Sequence, residues 1–222
     1  MGLVSVPLWE QERLRIAAGS TLRPGGFSLT DRAAEAIGLL PGWRVLDVGC
    51  GLGATVERLR SRFGAQAWGI EISDTQIARS QGVSGIIQAC GDTLPFASDF
   101  FDALYCECVL SLFPEQKKGL DEFWRVLKPN GFLVLSDLCS LDDSKMESFS
   151  CAGRAVPVLQ TQEAVEKKGF SVRLLEDHSP YLKELAAKII WAGNDENEAC
   201  ACGRRLGYYL MISQKQGAFH AG

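Results

Sequence analysis

Residues 44–53 read RVLDVGCGLG, and no other stretch restricts the possible folds as tightly. A short apolar run (Val45, Leu46, Val48) carries one acid, Asp47, and breaks into Gly49-Cys50-Gly51-Leu52-Gly53. A helix-like segment, Ala54–Phe63, follows at once. The pattern predicts a buried strand, a tight glycine turn and a helix N-terminus. Such a turn suits small anionic or nucleoside ligands: glycines let the backbone come close without a Cβ, and the first helical N–H groups lack partners inside the helix. Two kinds of cofactor use this shape. Gly49, Gly51 and Ala54 also satisfy G-x-G-x-x-G/A, the dinucleotide fingerprint, and Glu71 lies near the position of its ribose-binding acid.

The rest of the chain alternates short apolar runs with helical patterns. Leu3–Ala18 reads as a helix, and the turn Arg23-Pro24-Gly25-Gly26 leads to Thr30, the expected N-cap of a helix through Leu40. After the opening strand and helix come strand 67–72, helix 74–81, strand 85–89, the loop Cys90–Asp99 and strand 102–106. A helix from Pro114 to Leu127 is closed by Lys128-Pro129-Asn130-Gly131, followed by strand 132–137. Segment 140–157 is polar and irregular. Then follow a helix over 161–168, a strand over 171–176, a helix over 181–191, a charged loop and a last strand over 206–213, expected as an antiparallel edge. The fold class is therefore α/β: a Rossmann-like, seven-stranded, mostly parallel sheet with helices on both faces. Ligands of such sheets sit beyond the carboxyl ends of the strands, where strand order reverses.

Composition narrows the function. At 222 residues and 46% hydrophobic the chain can bury a full core as one domain. A net charge of −4 argues against a nucleic-acid groove. No apolar run has membrane-spanning length and the N-terminus lacks a signal peptide's apolar core, so a cytoplasmic protein without membrane partners is expected. Eight cysteines (50, 90, 106, 108, 139, 151, 200 and 202) should then be thiols. The C-x-C pairs do not have structural-zinc spacing, and no metal is expected.

Further segments decide between the cofactors. Leu94-Pro95-Phe96 followed by Phe101-Asp102, and Arg125-Val126-Leu127-Lys128-Pro129-Asn130-Gly131, join DVGCGLG and the acid ending WGIE. Together these resemble the class I S-adenosylmethionine (SAM)-dependent methyltransferases, of the methyltransferase type 11 and quinone-biosynthesis kind, over roughly residues 30–213. Asp47, two residues before the first glycine, also resembles this family, since dinucleotide enzymes usually carry an apolar residue there. The resemblance implies SAM as cofactor and S-adenosylhomocysteine (SAH) as product. It places Asp47 and the backbone of Gly49, Gly51 and Gly53 at the methionine end, Glu71 on the ribose hydroxyls, Ile72 against adenine, and Cys50, Gly91, Asp92 and Cys106 around the cofactor. One departure is Cys90, where the family usually has an aspartate serving the adenine amino group. On this reading residues 1–222 form a single domain: an N-terminal helix and lid (1–29), a SAM-binding core (30–137), a substrate-side region with the C-terminal strands (138–213) and a frayed tail (214–222).

The methyl acceptor is expected to be a small molecule. Cys106-Glu107-Cys108-Val109 resembles the Asn-Cys-Val segment of arsenite methyltransferases, and Ser150-Cys151-Ala152-Gly153 their second cysteine segment. By that resemblance Cys108 and Cys151 would bind a soft trivalent centre, with Glu107 on the asparagine position. The family's N-terminal cysteine and C-terminal extension have no counterpart here; Cys200 or Cys202 could supply a third thiol. The alternative is an O-, N- or C-methyltransferase of a small metabolite, its pocket lined by Trp9, Phe27, Phe113 and Phe149, with Glu107 or Asp137 as base. A third reading is a SAM-binding or accessory protein without catalysis. His178 and His220 are poor base candidates. Arg23 reads either as part of a plain turn or as a lid residue meeting a carboxylate of SAM or of an acidic substrate. Oligomeric state is left open.

Overall fold

The computed structural model describes residues 6–80, 82–141, 154–192 and 205–217. After helices α1 (Glu12–Ala18) and α2 (Gly26–Ala36) the chain alternates as β1 (Arg44–Val48), α3 (Ala54–Phe63), β2 (Gln66–Glu71), α4 (Asp74–Arg79), β3 (Ile86–Gln88) and β4 (Phe101–Glu107). It continues through α5 (Gln116–Val126), β5 (Leu127–Ser140), α6 (Val158–Lys167), β6 (Phe170–Asp177), α7 (Ser179–Ala192) and β7 (Leu206–Lys215). The strands form one sheet in the order β3-β2-β1-β4-β5-β7-β6. From β3 to β5 all pairings are parallel, while β7 is antiparallel to both neighbours. The chain winds outward from β1 to β3, then crosses back to β4 on the other side of β1. The carboxyl ends of β1 and β4 therefore flank the point where strand order reverses.

Alternating side chains divide the core between the two faces of the sheet. Leu46, Val48, Leu104, Cys106, Leu133 and Leu135 pack under Phe123 and Val126 of α5 and Val165 of α6. Val45, Ala67, Ala103, Tyr105 and Val134 pack under Ala33 and Ala34 of α2 and Val56 and Leu59 of α3. Covering both faces explains why these strands read as continuous apolar runs.

Three expectations need correction. The last strand is interior, inserted between β5 and β6: residues 206–212 are buried without a break, which suits a strand covered on both faces, whereas β6 alternates and takes the edge. Thr30 lies within α2, whose N-cap is Gly25 in the left-handed region, and its buried hydroxyl accepts from Arg23. The expected first helix is a short 3-10 turn, Leu8–Glu10, and the separate helix α1.

The segments that carried the family resemblance hold one another. Arg125 donates to the carbonyls of Phe96 at 2.7 Å and Leu94 at 3.0 Å, and Glu122, paired with Arg125, accepts from the Leu94 N–H at 2.7 Å. Asn130 supplies the turn of KPNG with φ 66, but β5 already begins at Leu127, which pairs with Phe101 before the register shifts. Lys215 of β7 donates to the carbonyls of Trp124 and Leu127, satisfying acceptors that the end of α5 leaves open.

Candidate active site

The glycine turn is shaped mainly by its neighbours. Gly49, at φ 71, has no room for a side chain: a Cβ there would lie 2.4 Å from Cγ2 of Val109, in the loop after β4. The N–H groups of Gly49 and Cys50 both donate to the Ile70 carbonyl at 2.9 Å, tying the turn to β2. The Cys50 side chain points into the core against the face of Gly69, and burial pushes its thiol strongly up, with Asp47 and Glu71 adding to the shift. Cys50 thus gives the loop its shape, and its thiol does not face a ligand. Gly53, left-handed at φ 77, opens α3.

Two acids stand on either side of this turn. At the end of β2, Glu71 accepts from the N–H groups of Gly51 (2.9 Å), Ile72 (2.9 Å) and Ser73 (2.8 Å). A carboxylate has about four acceptor sites, so it keeps capacity for a hydroxyl. Ile72 beside it is 66% exposed, an apolar surface open to a flat ring. In β1, Asp47 is 3% exposed; burial and the nearby Glu107 push its carboxyl well above the ordinary range, against the pull of Arg23.

Glu107 ends β4 and is also buried. Its Oε2 accepts from Arg23 Nη2 at 2.7 Å and from the Thr55 hydroxyl at 3.1 Å. Burial raises its carboxyl, with Arg23 and Thr55 drawing it back. Arg23, read from the sequence as a turn residue or as a lid residue meeting a ligand carboxylate, thus meets a carboxylate of the chain itself. Only 4% exposed, it donates to Glu107, Thr30 and the Gly26 carbonyl, because the left-handed Gly25 and Gly26 turn the chain sharply at this point. A general-base role for Glu107 loses support from the same contacts, since the guanidinium on Oε2 stabilises the charged form and lowers its pull on a proton.

The remaining sequence candidates divide. Cys106 has its thiol in the apolar cluster beneath α5, so only its backbone could face a cofactor. Gly91 is buried with a Cβ position 2.3 Å from Phe113 Cζ, while Cys90 beside it is exposed and Asp92 half-buried. Cys108 is half-buried and left-handed at φ 60; its Sγ donates to Tyr208 Oη at 3.3 Å, and that hydroxyl donates to Ser136 at 3.1 Å. It packs against Leu29, Leu138, Leu182 and Leu206, an apolar cap beyond the strand ends. Cys151, Cys200, Cys202, Phe149 and His220 lie outside the described residues. Among the described residues no group of three His, Cys, Asp or Glu side chains could hold a metal ion. His178 pairs with Glu176 at 3.0 Å and stacks on Tyr181.

Asp137, the other proposed base, accepts from the Ser111 N–H and hydroxyl and from the Leu138 N–H, each at 2.8 Å. Burial nevertheless lifts it to about 6. It lines a cavity of about 10 Å³ with Ser111, Gln116, Thr161 and Tyr209, room for one water at most. Thr55, Tyr105, Ser136 and Tyr208 were not legible as site residues, because isolated hydroxyl side chains carry no motif.

A glycine turn between two buried acids, with an exposed apolar side chain beyond the second, fits an adenosyl amino acid. The carboxylate beside Ile72 suits a ribose, and the buried carboxyl of Asp47 suits a cation. Comparisons with known proteins agree. Residues 46–135 match the methyltransferase domain family. Methyltransferase GfsG of Streptomyces halstedii is 30% identical over 187 residues, covering 76% of this chain and 67% of the relative. Phosphoethanolamine N-methyltransferase 1 of Zea mays is 28% identical over 209 residues, covering 91% of this chain and 37% of the relative. The solved structure of the [4+2]-cyclase SpnF superposes with a TM-score of 0.72 at 24% identity, covering 86% of this chain and 82% of that one. The chain spans about a third to two thirds of the length of most of the curated relatives it matches. Among the described residues no helix is long and apolar enough to cross a membrane. On these grounds the chain belongs to the class I SAM-dependent methyltransferases.

Proposed function

We propose that this chain transfers the methyl group of SAM to a small-molecule acceptor, within a single domain and in the cytoplasm. The observation that carries the reading is the pair of buried acids, Asp47 and Glu71, at adjacent parallel strand ends on either side of the glycine turn. When bound, SAM supplies an electrophilic methyl group on a sulfonium. The chain's own residues hold and align it: Asp47 and the Gly49–Gly53 backbone at the amino-acid end, Glu71 at the ribose, Ile72 against adenine, and Gly91 and Asp92 at the adenine edge. Transfer is an in-line displacement, so alignment and exclusion of water are the protein's main contribution.

The acceptor side is the apolar cap around Cys108, Leu138 and Tyr208, which favours a small, largely apolar metabolite bearing an O, N or C nucleophile. The relative from Zea mays is named for N-methylation of phosphoethanolamine, and SpnF for a cyclisation, so the shared fold leaves the acceptor open. A second reading, methylation of a soft centre such as arsenite on Cys108 and Cys151, draws support from the Cys108 thiol at the end of β4 beside the donor site.

Calorimetry with SAM and SAH, followed by labelled-methyl transfer to metabolite fractions and to arsenite with added thiol, tests these readings. Binding that weakens at least about tenfold in Glu71→Ala supports the donor site. Methylated arsenic lost in Cys108→Ser supports the second reading. Absence of binding overturns the donor assignment, and binding without turnover on any fraction favours a non-catalytic SAM protein.

A further inference from the structure

The cluster at the ends of β1 and β4 contains two carboxylates, Asp47 and Glu107, and one guanidinium, Arg23, each no more than 7% exposed. With both acids ionised, the cluster lacks one positive charge, and buried charge is costly without a partner. Its polar atoms are also incompletely satisfied. Glu107 Oε2 receives Arg23 and Thr55, whereas Oε1 is buried with no hydrogen-bond partner among the described residues. The Tyr105 hydroxyl, two residues earlier on the same face of β4, is also buried and unpartnered. A buried acceptor left open is costly, and a cationic ligand with N–H groups would recover that cost.

We propose that Glu107 is a second carboxylate of the donor site, its Oε1 accepting from the amino group of SAM while Arg23 and Thr55 hold Oε2. The inference rests on the donor-site reading above and assigns a residue that the sequence placed with the acceptor. Arg23 is then a positioning residue. It also belongs to an N-terminal strap that crosses the glycine turn: Glu10 accepts from the Ser73 hydroxyl at 2.7 Å beyond β2, Leu22 lies over Gly51, and Arg23 reaches Glu107 beyond β4. Seating of the strap and occupancy of the amino-group site therefore share one carboxylate.

Three ligands separate the possibilities by calorimetry: SAH, its deamino analogue and its decarboxy analogue. Glu107→Gln should weaken SAH and decarboxy-SAH by roughly ten- to a hundredfold, the worth of one charge-assisted hydrogen bond, and leave deamino-SAH within about twofold. Arg23→Gln should weaken SAH and decarboxy-SAH equally, because it acts through Glu107. Each single variant leaves a lone buried charge, so the double variant Arg23→Gln/Glu107→Gln provides a second test and should also lose the preference for ligands with an amino group. Equal weakening of all three ligands, or of none, in Glu107→Gln overturns the proposal. Loss of SAH alone in Arg23→Gln, with decarboxy-SAH unaffected, would show Arg23 contacting the carboxylate directly and overturn its positioning role. Wild-type protein that binds none of the three overturns the donor site itself, a distinguishable failure.

Discussion

Gly119 lies inside α5, where replacing glycine by alanine ordinarily stabilises a helix by about 1 kcal/mol. The tertiary structure reverses that expectation. An alanine Cβ at position 119 would lie 2.3 Å from Cε2 and 2.4 Å from Cδ2 of Phe113. The ring has no retreat, because its Cζ already sits 2.3 Å from the Cβ position of Gly91 and its edge meets Phe123 at a centroid distance of 6.0 Å. Overpacking of this kind costs about 1–3 kcal/mol, so Gly119→Ala should be net destabilising by about 1 kcal/mol. For a chain of this size that lowers Tm by about 2–4 °C. Removing the ring inverts the sign. Phe113→Ala alone should cost about 3–5 kcal/mol, and adding Gly119→Ala to it should recover about 1 kcal/mol. Urea denaturation of the four proteins in this cycle yields a coupling energy of about 1–3 kcal/mol if the ring fills the space between the two glycines. A gain of about 1 kcal/mol in both backgrounds, with no coupling, would refute the packing argument.

Asp137 provides a pH signature. Its carboxyl titrates near the ordinary 3.8 in the unfolded chain and is lifted by burial to about 6 in the fold. The stabilising contribution of its protonated form is thus complete below about pH 4 and is lost as pH rises through about 6, a change of about 3 kcal/mol. Urea stability of wild type relative to Asp137→Asn should fall across that window, and a flat difference would argue against a buried, raised carboxyl. Arg125→Lys replaces a fork that meets two carbonyls and Glu122 with a single ammonium, and should cost about 1–2 kcal/mol in the same assay; unchanged stability would mean that the clasp on the Leu94–Phe96 loop is not a stabilising contact.

Short-range pattern carried much of the outcome. Val45 to Val48 alternate between two covered faces, so the strand, its glycine turn and the positions of Asp47 and Glu71 at neighbouring strand ends follow from residues close in the chain. The segments LPF and RVLKPNG signalled the family without revealing that Arg125 clasps the first of them. Cys50 and Cys106 show what pattern leaves open. Both thiols point into the core, so only their backbones could face a cofactor.

By itself, then, the sequence determined the α/β winding, the glycine turn and the two flanking acids, because each depends on strand period, turn chemistry or a strand end, all set within about ten residues. Only the tertiary structure decided that β7 is interior, that Phe113 fills the space of two glycines, and that Arg23 is locked to Glu107. Arg23 and Glu107 are 84 residues apart, and their meeting depends on the N-terminal strap crossing a sheet whose strand order reverses beneath it. Local propensity carries no record of such a crossing. It arises when the whole chain packs, and with it the charge left over at the end of β4.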